Sequence, residues 1–173
     1  MKRNASPPPI RRVHIVGRQN SGKTTLIVEL VEYLTARGLR VGTIKHTHHH
    51  HELDVPGKDS YRHREAGAAP VGIMAPGMNA LFWPEVAARD DEDRYSQMLI
   101  MFQDCDLVLI EGHLAGNAAK VEVWRAATGR RTLADDDSSI QAVITDDAIS
   151  SPVPVWSRRD VAKLADLIDM LTC

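Results

Sequence analysis

The sequence has 173 residues, a length typical of one domain that buries its own core. Hydrophobic content of 43% and charged content of 25% are those of an ordinary globular protein, and a formal net charge of -2 provides no overall basic field, which argues against general nucleic-acid binding. The two cysteines, Cys105 and Cys173, form neither a disulfide framework nor a zinc ligand set, so we expect a reducing, cytoplasmic compartment.

Residues 1–10 are polar and contain three consecutive prolines, which predicts a disordered N-terminal arm before a single domain over 11–173. A targeting peptide is disfavoured because no apolar segment follows the basic residues of the arm. No stretch approaches the ~20 apolar residues that span a bilayer. We therefore expect a soluble protein with no membrane partner.

A phosphate-binding loop follows the arm. The run from Val13 to Val16 predicts a strand and leads into GRQNSGKT at 17–24, which fits G-x-x-x-x-G-K-[ST] at every fixed position. Apolar residues then recur on one helical face as far as Leu34, and Gly38 suits the helix end. Backbone amides of 20–24 are expected to bind the α- and β-phosphates of a nucleotide, with Lys23 on the β/γ oxygens and Thr24 on Mg²⁺.

Alternating strands and helices fill the remainder of the chain. Strands are predicted near 40–45, 69–74, 79–83, 106–111, 119–124, 140–145 and 153–156, and helices near 59–66, 91–103 and 158–171. The run LVLI at 107–110 lacks alternation, as in a parallel strand covered on both faces. For the last helix, Ser157 and Asp160 predict a start resembling a capping box. The pattern predicts an α/β fold, a single doubly wound P-loop NTPase domain with a mostly parallel sheet.

A candidate metal-side carboxylate ends the LVLI strand at Glu111-Gly112. In P-loop proteins a neighbouring strand brings an acid to the metal side of the phosphates, so Glu111 is predicted to serve the metal with Thr24. Asp106 at the other end of the strand lies too far away, about 17 Å at ~3.3 Å per residue. The alternative is a solvated charge at a strand end.

A histidine-rich tract, KHTHHHH at 45–51, follows the second strand. Imidazoles suit nickel or zinc, but no cysteine accompanies them, and such tracts also form polar loops. Its position at the carboxyl edge of the sheet favours a segment that meets an anionic ligand through histidines, Lys58 and Arg64, with Asp54 and Asp59 near the metal. Both interpretations stay open at this point.

Several segments together resemble one family. GRQNSGKTTL, VGTIKHTHH, DVPGKDSYRHREAGA, LVLIEG and KVEVWR resemble, in order and spacing, the molybdopterin-guanine dinucleotide biosynthesis protein B family (MobB), over about residues 11–160. The resemblance implies a dimeric, weakly hydrolysing GTP-binding accessory protein for the attachment of GMP to molybdopterin. It also implies a partner, the nucleotidyltransferase that performs the transfer, and leaves open whether molybdopterin binds this chain.

The resemblance also implies residue roles. Phosphate binding falls on Gly17, Gly22, Lys23, Thr24 and Thr25, with Asn20 and Ser21 inside the same loop, and the metal-side acid on Glu111. A ligand-contacting loop falls on His46, His48, His49, Asp54, Lys58, Asp59 and Arg64, and a later basic strand on Lys120, Glu122 and Arg125. Two departures stand out. His50 and His51 replace an acidic and an aromatic residue of the family, and His113-Leu114 replaces an aromatic-lysine pair.

Guanine recognition has a weaker signal. The Asn-Lys-x-Asp signature of small GTPases is absent, and Thr145-Asp146-Asp147 ends the strand near 140–145. A carboxylate at Asp146 would accept both N1–H and N2–H of guanine, which adenine does not offer, although turn-forming aspartates are an equal alternative. The sequence thus favours a GTP- and Mg²⁺-binding adaptor; the alternatives are a GTP-dependent metallochaperone that holds nickel or zinc, and a small kinase.

Overall fold

The structure, a computed structural model, describes residues 10–47, 52–83 and 91–172. Within them the elements follow the order β1 Arg12–Val16, α1 Lys23–Ala36, β2 Val41–Lys45, α2 Asp59–Glu65, β3 Val71–Ala75, β4 Met78–Phe82, α3 Asp91–Leu99, β5 Leu107–Glu111, β6 Ala119–Val123, β7 Ile140–Ile144, β8 Val155–Trp156 and α4 Val161–Leu171. A 3₁₀ turn, Ile100–Phe102, extends α3. The predicted N-terminal arm lies almost wholly outside the described residues.

Six strands form one parallel sheet in the order β2-β5-β1-β6-β7-β8. β1 lies between β5 and β6, with Ile15 opposite both Glu111 and Val121. β2 pairs with β5, so that Lys45 lies opposite Glu111. Since parallel strands end at the same edge, the P-loop, Glu111 and Asp146 are all carried to that edge.

Helices cover both faces of this sheet, as expected for strands that are apolar without alternation. On one face, α1 and α4 bury Leu26, Leu30 and Ile168 against β1, β5, β6 and β7. On the other, α3 places Tyr95 and Leu99 against strand residues that include Ile110. The mostly parallel α/β sheet that the sequence predicts is confirmed.

The ends of two helices test the local predictions. α1 ends as predicted: Gly38 adopts φ 86°, and its N–H donates to Thr35 O at 2.9 Å. α4 begins later than predicted, because the carboxylate of Asp160 accepts from Lys163 N at 2.9 Å and so caps it. Ser157 does not cap α4; its hydroxyl donates to Asp146 instead.

A second compact unit spans residues 48–90, of which the structure describes 52–83. It contains α2 and the antiparallel hairpin of β3 and β4, which form their own two-stranded sheet. The two strands predicted here therefore exist, but they lie outside the main sheet. The single-domain boundary at 11–173 stays a prediction. In the part of the chain that the structure describes, no helix has the length and apolar character to cross a bilayer.

Candidate functional site

The glycine loop between β1 and α1 depends on two glycines. Gly17 adopts φ 143°, and a Cβ there would lie 2.4 Å from the carbonyl oxygen of Val123 on β6. Gly22 adopts φ 98° directly before α1. Asn20 also has a positive φ, 61°, which asparagine tolerates better than most residues. The loop therefore needs backbone conformations that a generic sequence would not supply, and it ends where the amides of α1 are unpaired.

Lys23 bridges the loop from the first turn of α1. Its Nζ donates to Gly17 O at 2.9 Å and to Arg18 O at 2.8 Å. Burial lowers the pKa of Lys23, and the nearby carboxylate of Glu111 opposes this lowering. The ammonium group is held at the loop with one N–H left over, an arrangement that suits contact with an anion.

Thr24 and Glu111 meet at the carboxyl edge of the sheet. The Thr24 hydroxyl donates to Glu111 Oε1 at 2.9 Å. Both residues supply hard oxygen ligands, which Mg²⁺ prefers, at the side of the loop where Lys23 lies. These two residues therefore fit a bound Mg²⁺, and the pairing expected from the sequence is present in space.

A pocket of about 540 Å³ lies on the other side of the loop. Its walls come from the loop and α1, from the ends of β6 and β7, and from the turn before α4. The lining residues are Ser21, Gly22, Thr25, Glu29, Val123, Trp124, Arg125, Thr145, Asp146, Asp147, Arg158 and Arg159. The pocket is continuous with the phosphate-binding loop through Ser21 and Gly22, as a nucleoside site next to a phosphate site must be.

Asp146 has a fixed orientation in this pocket. Its Oδ1 accepts from Ser157 Oγ at 2.8 Å and from Arg158 N at 3.0 Å, and its Oδ2 lies 3.3 Å from Arg159 Nε. Burial acts to raise the pKa of Asp146, but these donors outweigh it and hold that pKa below its usual value. Asp147 is engaged separately, since Asp147 Oδ2 accepts from Ala126 N at 2.7 Å. Asp146 is thus an ionised acceptor at the pocket wall.

Sequence reasoning missed Arg158, which lines this pocket, and the contact of Ser157 with Asp146 in the pocket wall. Arg158 forms an ion pair with Glu29 of α1 at 2.6 Å, which joins the turn before α4 to the first helix. Ser157 fixes the carboxylate of Asp146. No sequence motif marks Arg158, and the capping-box pattern assigned Ser157 to the start of α4 instead.

The residues predicted for a ligand-contacting loop are dispersed. His48 and His49 lie outside the described residues, as do His50 and His51. In the second unit, Asp54 is buried and accepts from Val55 N and Ser60 Oγ. Arg64 Nη2 pairs with Glu52 at 2.6 Å, and its Nε lies 3.8 Å from Asp54.

The remaining two residues predicted for the ligand-contacting loop, Lys58 and Asp59, are more exposed than Asp54 and Arg64. Lys58 precedes α2 and Asp59 begins it, and both are exposed. Asp54 and Arg64 therefore support the fold of the second unit, whereas Lys58 and Asp59 are available to a ligand. All four of these residues belong to the second unit, whereas the phosphate-binding loop and the pocket belong to the first.

The later basic strand divides in the same way. Lys120 is buried and donates to Ser139 Oγ at 2.7 Å. Glu122 is fully buried and accepts from Leu133 N at 2.8 Å and from Ala134 N at 3.0 Å; burial raises its pKa. Arg125 lines the pocket, within 4.0 Å of where a Cβ on Gly22 would lie. Of the three, only Arg125 reaches the site.

The loop, the carboxylate and the sheet order define an α/β protein of the P-loop class. The family model for molybdopterin guanine dinucleotide synthesis protein B matches residues 12–146. The chain belongs to this family, the MobB family.

Two curated relatives are molybdopterin-guanine dinucleotide biosynthesis adapter proteins. The one from Escherichia coli is 38% identical over 154 residues, covering 86% of this chain and 85% of its own length. The one from Haemophilus influenzae is 32% identical over 155 residues, covering 90% and 85%. The resemblance noted in the sequence is thereby confirmed.

Solved structures agree. The crystal structure of Bacillus subtilis MobB matches with a TM-score of 0.70 at 26% identity and covers 95% of this chain and 99% of its own. A crystal structure of molybdopterin-guanine biosynthesis protein B matches with a TM-score of 0.68 at 28% identity, covering 93% and 98%. These relatives support the adapter interpretation, and none of them favours the metallochaperone alternative. Among the described residues, no group of three or more His, Cys, Asp or Glu side chains is arranged to hold a metal ion.

Proposed function

We propose that this chain binds Mg²⁺ and GTP and acts as an adapter for the conversion of molybdopterin to molybdopterin guanine dinucleotide. The observation that carries the proposal is the contact of Thr24 with Glu111, 2.9 Å apart beside a complete phosphate-binding loop. The names of the relatives supply the biological context, because they are adapter proteins of this biosynthesis. A cytoplasmic location fits that role.

The phosphates of GTP occupy the loop in this proposal. Amides of residues 20–24 and the free N–H of Lys23 bind the phosphate oxygens. Thr24 and Glu111 hold Mg²⁺, which neutralises phosphate charge when bound. Gly17 and Gly22 serve through their backbone conformation, and Thr25 through its position in the pocket lining.

Asp146 reads the guanine base in this proposal. Ser157 and Arg158 occupy Oδ1, so Oδ2 is the oxygen presented to a ligand, with the largely exposed Arg159 as its competitor. Xanthine carries a carbonyl where guanine carries the N2 amine, so an amide suits it better than a carboxylate. Asp146→Asn should weaken GTP binding by about 10-fold or more and improve binding of xanthosine triphosphate. Equal loss of both nucleotides would contradict the base-reading role.

Hydrolysis is slow in this proposal. Gln19 lies on the exposed part of the loop, where nothing fixes a water-orienting direction. Arg125 is close to Gly22 but lies on the pocket side. An arginine that stabilises the transition state is worth ~10³ to 10⁵ in rate, and a partner or a second subunit would have to supply it, with Arg64 and Arg125 as candidates in trans. The chain is therefore a nucleotide-holding adapter rather than an efficient GTPase.

A homodimer and a guanylyltransferase partner complete the proposal. The β3–β4 hairpin exposes Met74 at 89% and Met78 at 76%, and among the residues that the structure describes no third strand pairs with its two-stranded sheet. Isolated hairpins are marginal in water, and unpaired edges favour pairing with another strand. We propose that a second copy of the chain packs against this hairpin to form the homodimer. Sedimentation velocity of the wild-type protein and of a Met78→Lys variant measures the oligomeric state and tests this. A monomeric wild-type protein at micromolar concentration would contradict it.

Calorimetric titration of the purified, untagged protein tests the proposal as a whole. The titrants are GTP, ATP, molybdopterin and nickel or zinc. Binding of GTP in preference to ATP, strengthened by Mg²⁺, is expected. Tight binding of about one nickel or zinc ion per chain, with no preference for GTP, would contradict the proposal and favour the metallochaperone. If titration with molybdopterin alone gives a heat of binding, the chain also binds the pterin directly.

A further inference from the structure

A cluster of four rings lies against the edge of the sheet that carries Glu111. The ring cluster consists of His14 on β1, His46 just after β2, Tyr95 on α3 and His113 just after β5. His14 is 1% exposed, and Tyr95 and His113 are each 6% exposed. Buried imidazoles at this density need a reason, because an imidazole costs more to bury than an aliphatic side chain of similar size.

The rings of the cluster connect three elements. The ring of His113 stacks on the ring of His46 with centroids 4.2 Å apart and an interplanar angle of 12°. Tyr95 covers His113 at 5.2 Å, and the Tyr95 hydroxyl lies 3.1 Å from His46 Nδ1. The stack therefore ties the end of β2 and the turn after β5 to α3.

The backbone of that turn is fixed from both sides. His46 N donates to Glu111 O at 3.0 Å, and Gly112 N donates to Ile15 O at 2.9 Å. His14 Nδ1 lies 3.2 Å from Gly112 O, and since a carbonyl only accepts, this nitrogen carries the proton. A Cβ on Gly116 would lie 2.4 Å from His14 Nε2, so the following loop packs closely on the same ring.

His113 itself sits at an unusual backbone position. Its φ is 64°, in the left-handed region that costs free energy for any residue with a side chain, and Gly112 before it has φ 86°. Something must compensate this conformation, and the packing of the His113 ring, stacked on His46 and covered by Tyr95, contributes to doing so. Glu111 lies two residues before His113, at the start of the same turn, and its carboxylate accepts from the Thr24 hydroxyl at 2.9 Å.

The geometry points to His113 and His46 as positioning residues for the metal-side carboxylate. Their stacked rings hold the turn after β5 so that the Glu111 carboxylate stays within hydrogen-bond distance of Thr24. The positioning depends on the shape of the His113 ring and not on its charge. The inference rests on the proposed Mg²⁺–GTP site. It also changes the role of His46, which the family resemblance assigns to ligand contact and which here acts through Glu111.

Mg²⁺ dependence separates positioning from ordinary packing. The Kd for GTP is measured in EDTA and across a Mg²⁺ series for wild type, His113→Ala, His113→Phe and the exposed control His63→Ala. Groups that orient metal ligands usually contribute about 10- to 100-fold to metal affinity. His113→Ala should therefore need about 10- to 100-fold more Mg²⁺ for half-maximal enhancement of GTP binding. Its GTP affinity in EDTA should stay within about twofold of wild type, because no Mg²⁺ is bound there. His113→Phe should restore the wild-type Mg²⁺ dependence, because it restores the ring.

Two results would overturn the inference. One is a folded His113→Ala with wild-type Mg²⁺ dependence; the other is a His113→Ala whose affinities in EDTA and in Mg²⁺ fall by the same factor. If His113→Ala does not fold, the folded His113→Phe decides, since loss of Mg²⁺ dependence there excludes a role for ring shape. Glu111→Gln, measured in parallel, separates the proposed Mg²⁺ site from the positioning role of His113. If Glu111→Gln keeps the full Mg²⁺ dependence, the proposed Mg²⁺ site is wrong. If Glu111→Gln loses the Mg²⁺ dependence and His113→Ala keeps it, only the positioning role is wrong.

Discussion

Lys23→Ala removes the cation of the phosphate-binding loop. In the free chain the ammonium group donates to Gly17 O and Arg18 O, at 2.9 and 2.8 Å. Arg18 is exposed, so water replaces these bonds in the variant and the fold should survive. What is lost on binding is one charge-assisted contact to the phosphates, about 1.5–3 kcal/mol, which corresponds to roughly a 10- to 150-fold rise in Kd.

The assay is titration with Mg²⁺ and GTP, with circular dichroism to verify the fold. Lys163→Ala is the matched control, since Lys163 is an exposed lysine on α4 whose loss removes the same charge far from the loop in sequence. It should change Kd less than about twofold, because surface charges are screened. A folded Lys23→Ala with wild-type affinity would refute the phosphate-binding role of the loop.

Three further predictions follow from the site and the core. Glu111→Gln should lose most of the Mg²⁺ enhancement of GTP binding. GTP turnover by the wild-type protein should stay near 10⁻⁴ to 10⁻² s⁻¹, on the order of unassisted hydrolysis. A wild-type turnover above about 1 s⁻¹ that Glu111→Gln abolishes would instead show an efficient GTPase. Replacing His48–His51 together should leave GTP affinity within a few fold, and loss of stoichiometric nickel binding would instead mark a metal site. Burial lowers the pKa of His14 from 6.5 to about 4, so on acidification the unfolded state binds a proton at a higher pH than the folded state does. The free energy of unfolding should therefore decrease as the pH is lowered from 6.5 to about 4. Between pH 7 and pH 5 the free energy of unfolding, measured with urea, should decrease by about 2 kcal/mol. His14→Asn keeps a donor for Gly112 O and should abolish this decrease. An unchanged decrease in the variant would exclude His14 as its source.

Much of the site could be predicted because its residues lie close in sequence or at strand ends. The spacing of Gly17, Gly22 and Lys23 is a local property of one loop, and the structure gives it the expected strand and helix on either side. Glu111 could be predicted because an uninterrupted apolar strand must be interior and must end at the same edge as β1. Its contact with Thr24 then follows from parallel pairing.

The remainder depends on contacts that one sequence does not encode locally. Ser157 suggested a helix cap, but it bonds to Asp146 across a turn, because Asp160 is better placed to cap α4. The ring cluster joins residues as far apart as His14 and His113, and no periodicity links them. Residues 71–82 carried a recoverable signal, since Pro76-Gly77 between two short apolar runs favours a hairpin rather than two strands of the main sheet.

The central claim is that nucleotide held by this chain promotes guanylylation of molybdopterin. The most direct measurement is the rate at which a purified molybdopterin guanylyltransferase forms molybdopterin guanine dinucleotide from molybdopterin and Mg²⁺–GTP, with and without this protein. Wild-type protein should raise that rate, and Lys23→Ala, folded but impaired in nucleotide binding, should not. An unchanged rate with the wild-type protein, or an equal increase with Lys23→Ala, would contradict the claim.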